Sequence, residues 1–567
     1  MCGIIGYLGE NAVSVALEKL KLLEYRGYDS AGVAYINDGQ ICTRKAVGRI
    51  SNLEKKIDEE STVAIAHTRW ATHGKVNETN AHPHMYSHSW SIVHNGIIEN
   101  YKELSCGAQL KTQTDSEVIA YLLSKNGSGL SSILNSAREL QGSFAVVALD
   151  ENGKLFAIKN KSPLYLAKGE NGILLASDPS CFCSFATHYY EFEDGECAEI
   201  SPTLVSFYDF DGNEKTKSEK SLVIQSTLLS KGDWAYYMQK EIYDTPLILD
   251  RINKAYSIEY LQEFAKAFEK YEKIYFIGCG TAYHASLYGA YLFNENTSKD
   301  CRAFMAGEYR YCKDKTDEKT ACVFVSQSGE TADTLGAMEK AKNCGAYTVA
   351  LTNVGYSTLA SKCDFVLPVL AGVERAVAST KAYSAQINVL YLIAGYMQYR
   401  KRVEIPILTT SAIDDLAKKA EKLATKLLEK SDAFLIGRKA DYVSALECSL
   451  KIKEVGYLNA NAYPASELKH GFIALIDNDT PVITFITDQT IASKTISGAM
   501  EAKSRGAYSI LITCLENQDE SEFDVVIKTK NENELTIFFQ LLAYYIAILQ
   551  GNDPDMPKNL AKSVTVE

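Results

Sequence analysis

Up to about residue 200, apolar residues come in short runs broken by Gly, Asn and Asp: TVAIAHTR, SWSIVHNG, SFAVVALD, KLFAIKN and GILLASD. That rhythm predicts strands, with helical spacing only near Val13–Leu23 and Ser116–Leu123. The polar segment DFDGNEKTKSEKS, Asp209 to Ser221, interrupts the pattern and reads as the start of a linker. Beyond about residue 250 the unit becomes apolar strand, Gly or Ser turn, long helix, repeated several times, which predicts βαβ units and a parallel sheet.

The second half also repeats itself. KIYFIGCGTAYHASLYGAYL, ACVFVSQSGETADTLGAMEKAK, AYTVALTN and DFVLPVL are followed, in the same order, by AFLIGRKADYVSALECSLKIKEV, PVITFITDQTIASKTISGAMEAKSRG, AYSILITC and DVVIKTK. A period of about 150 residues means domain duplication, not a solenoid. The expected segments are 1–215, a linker over 216–250, and two tandem doubly wound domains over 251–412 and 413–567. The second copy lacks the SQSGET turn, so only the first is expected to keep an anion site.

Composition narrows the function classes. A net charge of −12 over 567 residues offers no basic footprint for nucleic acid. With 46% apolar and 23% charged residues, wholesale disorder is excluded. The longest apolar stretch, Leu535 to Leu549, contains Gln540 and is shorter than the roughly 20 residues of a spanning helix. No basic, apolar leader precedes the first strand, and the 14 cysteines form no CxxC pair. A cytoplasmic protein with reduced thiols and no structural zinc is expected.

Three features carry candidate chemistry. Cys2 follows Met1 and is small enough for methionine removal to expose it, which would give a thiol with its own α-amine as base. Taken alone, a buried cysteine in a first strand explains it better; the rest of the half overturns that reading. Ser326-Gln327-Ser328-Gly329-Glu330-Thr331 follows an apolar strand and opens a helix, the arrangement of a phosphate cradle. No Walker lysine follows, so a monophosphate is favoured over a nucleotide. Lys451 and Glu454 stand three apart on a helix read from about Tyr442, able to converge on one ligand or simply to pair with each other. Six of the nine histidines fall within His67–His94 at spacings that match no metal pattern; they are read as ordering loops.

Taken together the motifs resemble known families. CGIIGYLG, LEYRGYDSAG, HTRWATHG, NAHPH, HNGIIEN and TDSEV resemble the glutaminase domain of N-terminal-nucleophile amidotransferases. CGTAYHA, SQSGETADT, VASTKAY, ELKHG and NLAKSVTVE resemble the paired sugar-isomerase domains of the glutamine–fructose-6-phosphate aminotransferase (isomerizing), or glucosamine-6-phosphate synthase, family. The resemblance implies an α+β N-terminal-nucleophile glutaminase domain followed by two α/β doubly wound, flavodoxin-like sugar-isomerase domains. It also implies a homodimer that uses glutamine and fructose 6-phosphate without cofactor or metal, in the first step of amino-sugar biosynthesis.

Residue by residue, the resemblance makes Cys2 the nucleophile, with Asn95 and Gly96 as oxyanion donors. Arg69, Thr72, His73 and Asp115 become glutamine contacts, Arg26 a support near the nucleophile and Trp70 an ammonia gate. In the second half, Glu454 becomes the proton-transfer base, Lys451 its helper, His470 the ring-opening group (acting from a neighbouring subunit) and Lys562 the Schiff-base lysine. Thr281, Ser326, Gln327, Ser328, Thr331, Val377 and Ser379 line the sugar-phosphate pocket. Ala282, Phe472 and Lys558 depart from the family's usual serine, proline and arginine. Another glutaminase-coupled transferase, a sugar-phosphate deaminase and an inactive sugar-phosphate sensor are the competing readings; intact Cys2, Glu454 and Lys562 disfavour the last two.

Overall fold

The computed structural model describes residues 2–71, 73–222, 230–313, 315–516 and 520–565. Thr72, assigned to a glutamine contact, lies outside them. The described residues of Met1–Ser230 and Ser563–Glu567 form one compact unit, and Lys231–Lys562 form another.

The strands of the first unit run in chain order Gly3–Gly9 (β1), Ser30–Asn37 (β2), Gln40–Val47 (β3), Val63–Arg69 (β4), His84–Met85 (β5), Trp90–Ile98 (β6), Gly142–Asp150 (β7) and Leu155–Asn160 (β8). They continue with Tyr165–Gly169 (β9), Gly172–Ala176 (β10), His188–Glu191 (β11), Glu196–Ser201 (β12), Leu204–Asp209 (β13), Glu214–Lys215 (β14) and Lys220–Ser221 (β15). Two antiparallel sheets result, ordered β15-β11-β9-β10-β1-β4-β2-β3 and β14-β13-β12-β8-β7-β6-β5. Period-two alternation decides which side chain enters which layer. Ile4, Leu8, Val63 and Ile65 pack with Val93, Ala145, Val147 and Leu149 between the sheets. Their neighbours Ile5, Tyr7, Ala64 and Ala66 face the helix Ala12–Lys21 on the outside. Ile92, Val146 and Ala148 face the helix Glu117–Lys125 on the other outside.

The Asp209–Ser221 segment is not the linker start read from its polarity. Glu214–Lys215 pairs with β13, and Lys220–Ser221 pairs with β11. Nor is the far end of the 216–250 span a linker: helices Tyr237–Tyr243 and Thr245–Ala255 bury Met238, Ile242, Ile248 and Leu249 in the core of the second unit.

That second unit holds two parallel sheets built alike. Lys273–Gly278 (β16), Asp300–Met305 (β17), Thr320–Ser326 (β18), Tyr347–Thr352 (β19) and Phe365–Pro368 (β20) are ordered β17-β16-β18-β19-β20. Asp432–Gly437 (β21), Asn459–Pro464 (β22), Pro481–Ile486 (β23), Tyr508–Thr513 (β24) and Val525–Lys528 (β25) are ordered β22-β21-β23-β24-β25. This is the doubly wound order in which the chain reverses direction between the first and third strands, leaving a crevice beyond their C-terminal ends. No helix among the described residues is long and apolar enough to cross a membrane.

Candidate functional site

In the first unit, Cys2, Arg69, Trp70, His73, Asn95, Gly96 and Asp115 line one pocket, with Thr565 of the tail. β1 and β4 pair in register Gly3 to Thr68, which sets Cys2 against Trp70: the Trp70 N–H donates to Cys2 Sγ at 3.3 Å. Burial pushes the Cys2 thiol up, opposed by the N-terminal ammonium, the Trp70 N–H and Arg69. Asn95 on β6 donates from Nδ2 to the Cys2 carbonyl at 2.9 Å. Gly96 has φ +129°, and a Cβ there would lie 1.8 Å from the Ser143 carbonyl, so only glycine keeps this strand end closed. Its N–H and the Asn95 amide can then face one oxyanion.

Two buried side chains of opposite kind, Arg69 and Asp115, line the same pocket. Arg69 spends Nη2 on the His73 and Gly74 carbonyls, while its Nη1 is buried without a partner. A carboxylate ligand would satisfy it. Asp115 accepts the Ile98 N–H at 2.8 Å on one oxygen. Arg26 pairs with Asp178 and contacts the Tyr25 hydroxyl and Ser177 carbonyl, bracing the chain on the pocket's flank.

His67, His82, His84 and His94 pack as a block, of which His82 and His94 line the pocket. His67 and His82 stack at 4.1 Å, and His82 meets His84 edge-on at 4.3 Å. His94 Nδ1 bonds Ser116 Oγ at 2.9 Å, and the His94 backbone N–H donates to His82 Nδ1 at 3.2 Å. Burial pushes His67 down to about 3 and lowers His82, His84 and His94, favouring the neutral ring at each. Among the described residues no cluster of His, Cys, Asp and Glu could hold a metal ion.

In the second unit the polar groups gather beside the C-terminal ends of β16 and β18. The helix Ala440–Gly456 presents Glu447, Lys451 and Glu454 along one face. Lys451, fully buried, lies 2.5 Å from Glu454 and 3.5 Å from Glu447. Burial alone would lower the Lys451 ammonium, but Glu454 and Glu447 outweigh it and hold it above the ordinary lysine value. Thr281, first residue of the helix Thr281–Asn296, donates to Glu447 at 3.0 Å, and His284 Nδ1 meets its other oxygen at 2.6 Å.

Lys562 is buried against Glu374. The same carboxylate accepts Ser379 Oγ at 2.9 Å and the N–H groups of Thr380 and Ala382, at 2.9 and 3.0 Å. Burial would raise Glu374, yet Lys562 and these donors hold it below the ordinary carboxylate value. Val377, two residues before Ser379, is buried nearby in sequence and fixed by its N–H to the Asp555 carbonyl at 3.0 Å.

The Ser326–Thr331 turn closes on itself. Gly329 donates to Ser326 Oγ at 2.9 Å, and Glu330 N donates to Ser328 Oγ at 3.2 Å. Thr331 caps the helix Ala332–Asn343 by position, without a side-chain bond of its own. Glu330 is tied to Thr358 N at 2.8 Å. Gln327 contributes its carbonyl, which accepts the Asn353 N–H at 3.3 Å.

His470 does not join these groups. It is exposed at the end of the short turn Leu468–His470. Sequence reasoning missed Glu447, Glu374, His284 and His67. Glu447 was within reach, one helical turn before Lys451; Glu374 and His67 gain their partners only from folding.

Comparisons with known proteins give the following. A family model for the SIS domain matches residues 267–395 and 426–550, and one for the glutamine amidotransferase domain matches residues 67–184. Proteins named glutamine–fructose-6-phosphate aminotransferase [isomerizing] from Clostridium tetani and Aquifex aeolicus are 38% and 37% identical, over the whole of both chains in each case. A solved structure, the C-terminal domain of glucosamine-fructose-6-phosphate aminotransferase from Francisella tularensis, is 29% identical with a TM-score of 0.52. It covers 58% of this chain, and 99% of its own length is matched.

Proposed function

Since the chain belongs to the glutamine–fructose-6-phosphate aminotransferase (isomerizing) family, along its full length, we propose that it converts fructose 6-phosphate and glutamine to glucosamine 6-phosphate and glutamate, the entry step of amino-sugar biosynthesis. The observation that carries this reading is the presence, in one chain, of a thiol pocket whose Arg69 Nη1 is buried without a partner and of two buried Lys–Glu pairs, Lys451–Glu454 and Lys562–Glu374.

In this reading Arg69 takes the α-carboxylate of glutamine and Asp115 its α-ammonium, with Thr72 and His73 as further contacts. The Cys2 thiol, its proton passed to the α-amine freed by loss of Met1, attacks the side-chain amide. The oxyanion rests on Asn95 and the Gly96 N–H, ammonia leaves, and water hydrolyses the thioester to glutamate. Ammonia is delivered internally, with Trp70 as gate.

At the sugar site the Ser326–Thr331 turn, with Gln327 and Ser328, holds the phosphate while Thr281, Val377 and Ser379 border the sugar. His470, reaching from the partner in a homodimer, opens the ring. Lys562 gives its ammonium proton to Glu374, and its amine condenses with the C2 carbonyl, releasing water. Ammonia displaces Lys562 from that imine. Glu454, supported by Lys451, then carries a proton from C1 to C2, yielding the 2-amino aldose. No cofactor enters this scheme, and a cytoplasmic location fits its substrates.

Cys2→Ala tests the modular part of the reading. Glutamine-dependent product should vanish while ketose–aldose isomerisation of the sugar phosphate persists; equal loss of both would contradict it.

A further inference from the structure

His67 sits on β4 directly across from the β6 segment that carries Asn95. Its Nε2 lies 3.0 Å from the His94 carbonyl oxygen and 3.1 Å from Asn95 Oδ1. A carbonyl oxygen only accepts, so Nε2 must carry the ring hydrogen, and the His94 carbonyl thereby selects one tautomer. His67 Nδ1 is then the bare nitrogen, and it is buried without a partner.

That tautomer decides how the Asn95 amide is turned. A flipped amide would set its NH2 against the Nε2–H, donor against donor. With the oxygen held by His67, the NH2 is turned toward Cys2, where one hydrogen already meets the Cys2 carbonyl at 2.9 Å. The second hydrogen is left for an oxyanion. The ring itself cannot rotate away, because His82 stacks on it at 4.1 Å with the two planes 16° apart. Being neutral, His67 adds no charge beside the thiol.

We propose that His67 is a positioning residue: through its Nε2–H it holds the Asn95 side chain with Nδ2 facing the reacting centre. This rests on the reading of Asn95 as oxyanion donor in the proposed glutaminase.

The test is a double-mutant cycle on glutamine hydrolysis. His67→Leu should lower kcat by about tenfold to a hundredfold, a fraction of what loss of a whole oxyanion donor costs. The KM for glutamine should stay within about twofold, since Arg69 and Asp115 hold the far end of the substrate. His67→Gln, which can donate to the same oxygen, should recover most of the rate. In an Asn95→Ala background, His67→Leu should cost nothing further. Additive losses, or an unchanged kcat in His67→Leu, would overturn the proposal. If His67→Leu does not fold, nitrogen-15 NMR of histidine-labelled wild-type protein still decides. The Nε2–H tautomer at His67 supports the assignment and the Nδ1–H tautomer refutes it. Absence of any glutaminase in the wild type would count against the proposed function, whereas the tautomer bears on His67 alone.

Discussion

Two buried carboxyl groups near the tail lysine are held in opposite states. Glu374, ion-paired with Lys562, stays ionised, whereas burial and the neighbouring Glu374 push Glu241 up to about 8. One Glu241 oxygen accepts the Arg375 and Ala376 N–H groups, and the other is buried without a partner. Lys562→Ala should therefore do more than remove the proposed nucleophile. It leaves Glu374 buried and uncompensated, with an expected cost of about 3–5 kcal/mol in denaturant unfolding of the variant. Glu241 keeps its proton in the fold but loses it in the unfolded chain above the ordinary value of about 4.3. Above that pH the unfolded state binds fewer protons, so stability falls as pH rises until the folded carboxyl titrates near 8. Glu241→Gln should flatten that slope in thermal melts between pH 5 and 8; an unaltered slope would place the effect elsewhere. The motif residues proposed for both sites could be singled out in the chain because each sits in a short local signature. Glu241, Glu374 and His67 could not: their roles come from partners 28 to 188 positions away.

At the scale of elements, short apolar runs broken by turn residues were enough to expect strands, and in the structure every second residue of β1 and β4 enters the inter-sheet core. It failed at Asp209–Ser221, where two-residue edge strands carry only polar side chains and leave no apolar trace. Gly96 shows an element serving chemistry directly. Its left-handed φ and the Ser143 carbonyl forbid a side chain, so Gly96→Ala must distort the end of β6 beside Asn95. Glutamine hydrolysis should drop at least as far as in Asn95→Ala, while sugar-phosphate isomerisation remains within about twofold. The crevice of the second unit follows from topology: Thr281 and the Ser326 turn lie beyond neighbouring parallel strands, at the point where the strand order reverses.

At the scale of the whole molecule, the exposed His470 has a consequence for assembly. If it completes the sugar site of a partner subunit, mixing inactive His470→Ala with inactive Glu454→Ala chains should restore activity in heterodimers. No recovery after verified subunit exchange would assign the site to one chain. In the proposed function two chemistries are joined by a guarded transfer of ammonia, and isotope tracing follows that transfer. The protein is supplied with amide-nitrogen-15 glutamine, fructose 6-phosphate and an excess of unlabelled ammonium, and the sugar product is analysed by mass spectrometry. Glucosamine 6-phosphate should carry the label almost undiluted, with dilution appearing in Trp70→Ala. Product that carries the isotope ratio of the bulk ammonium, or no amino sugar at all, would contradict it.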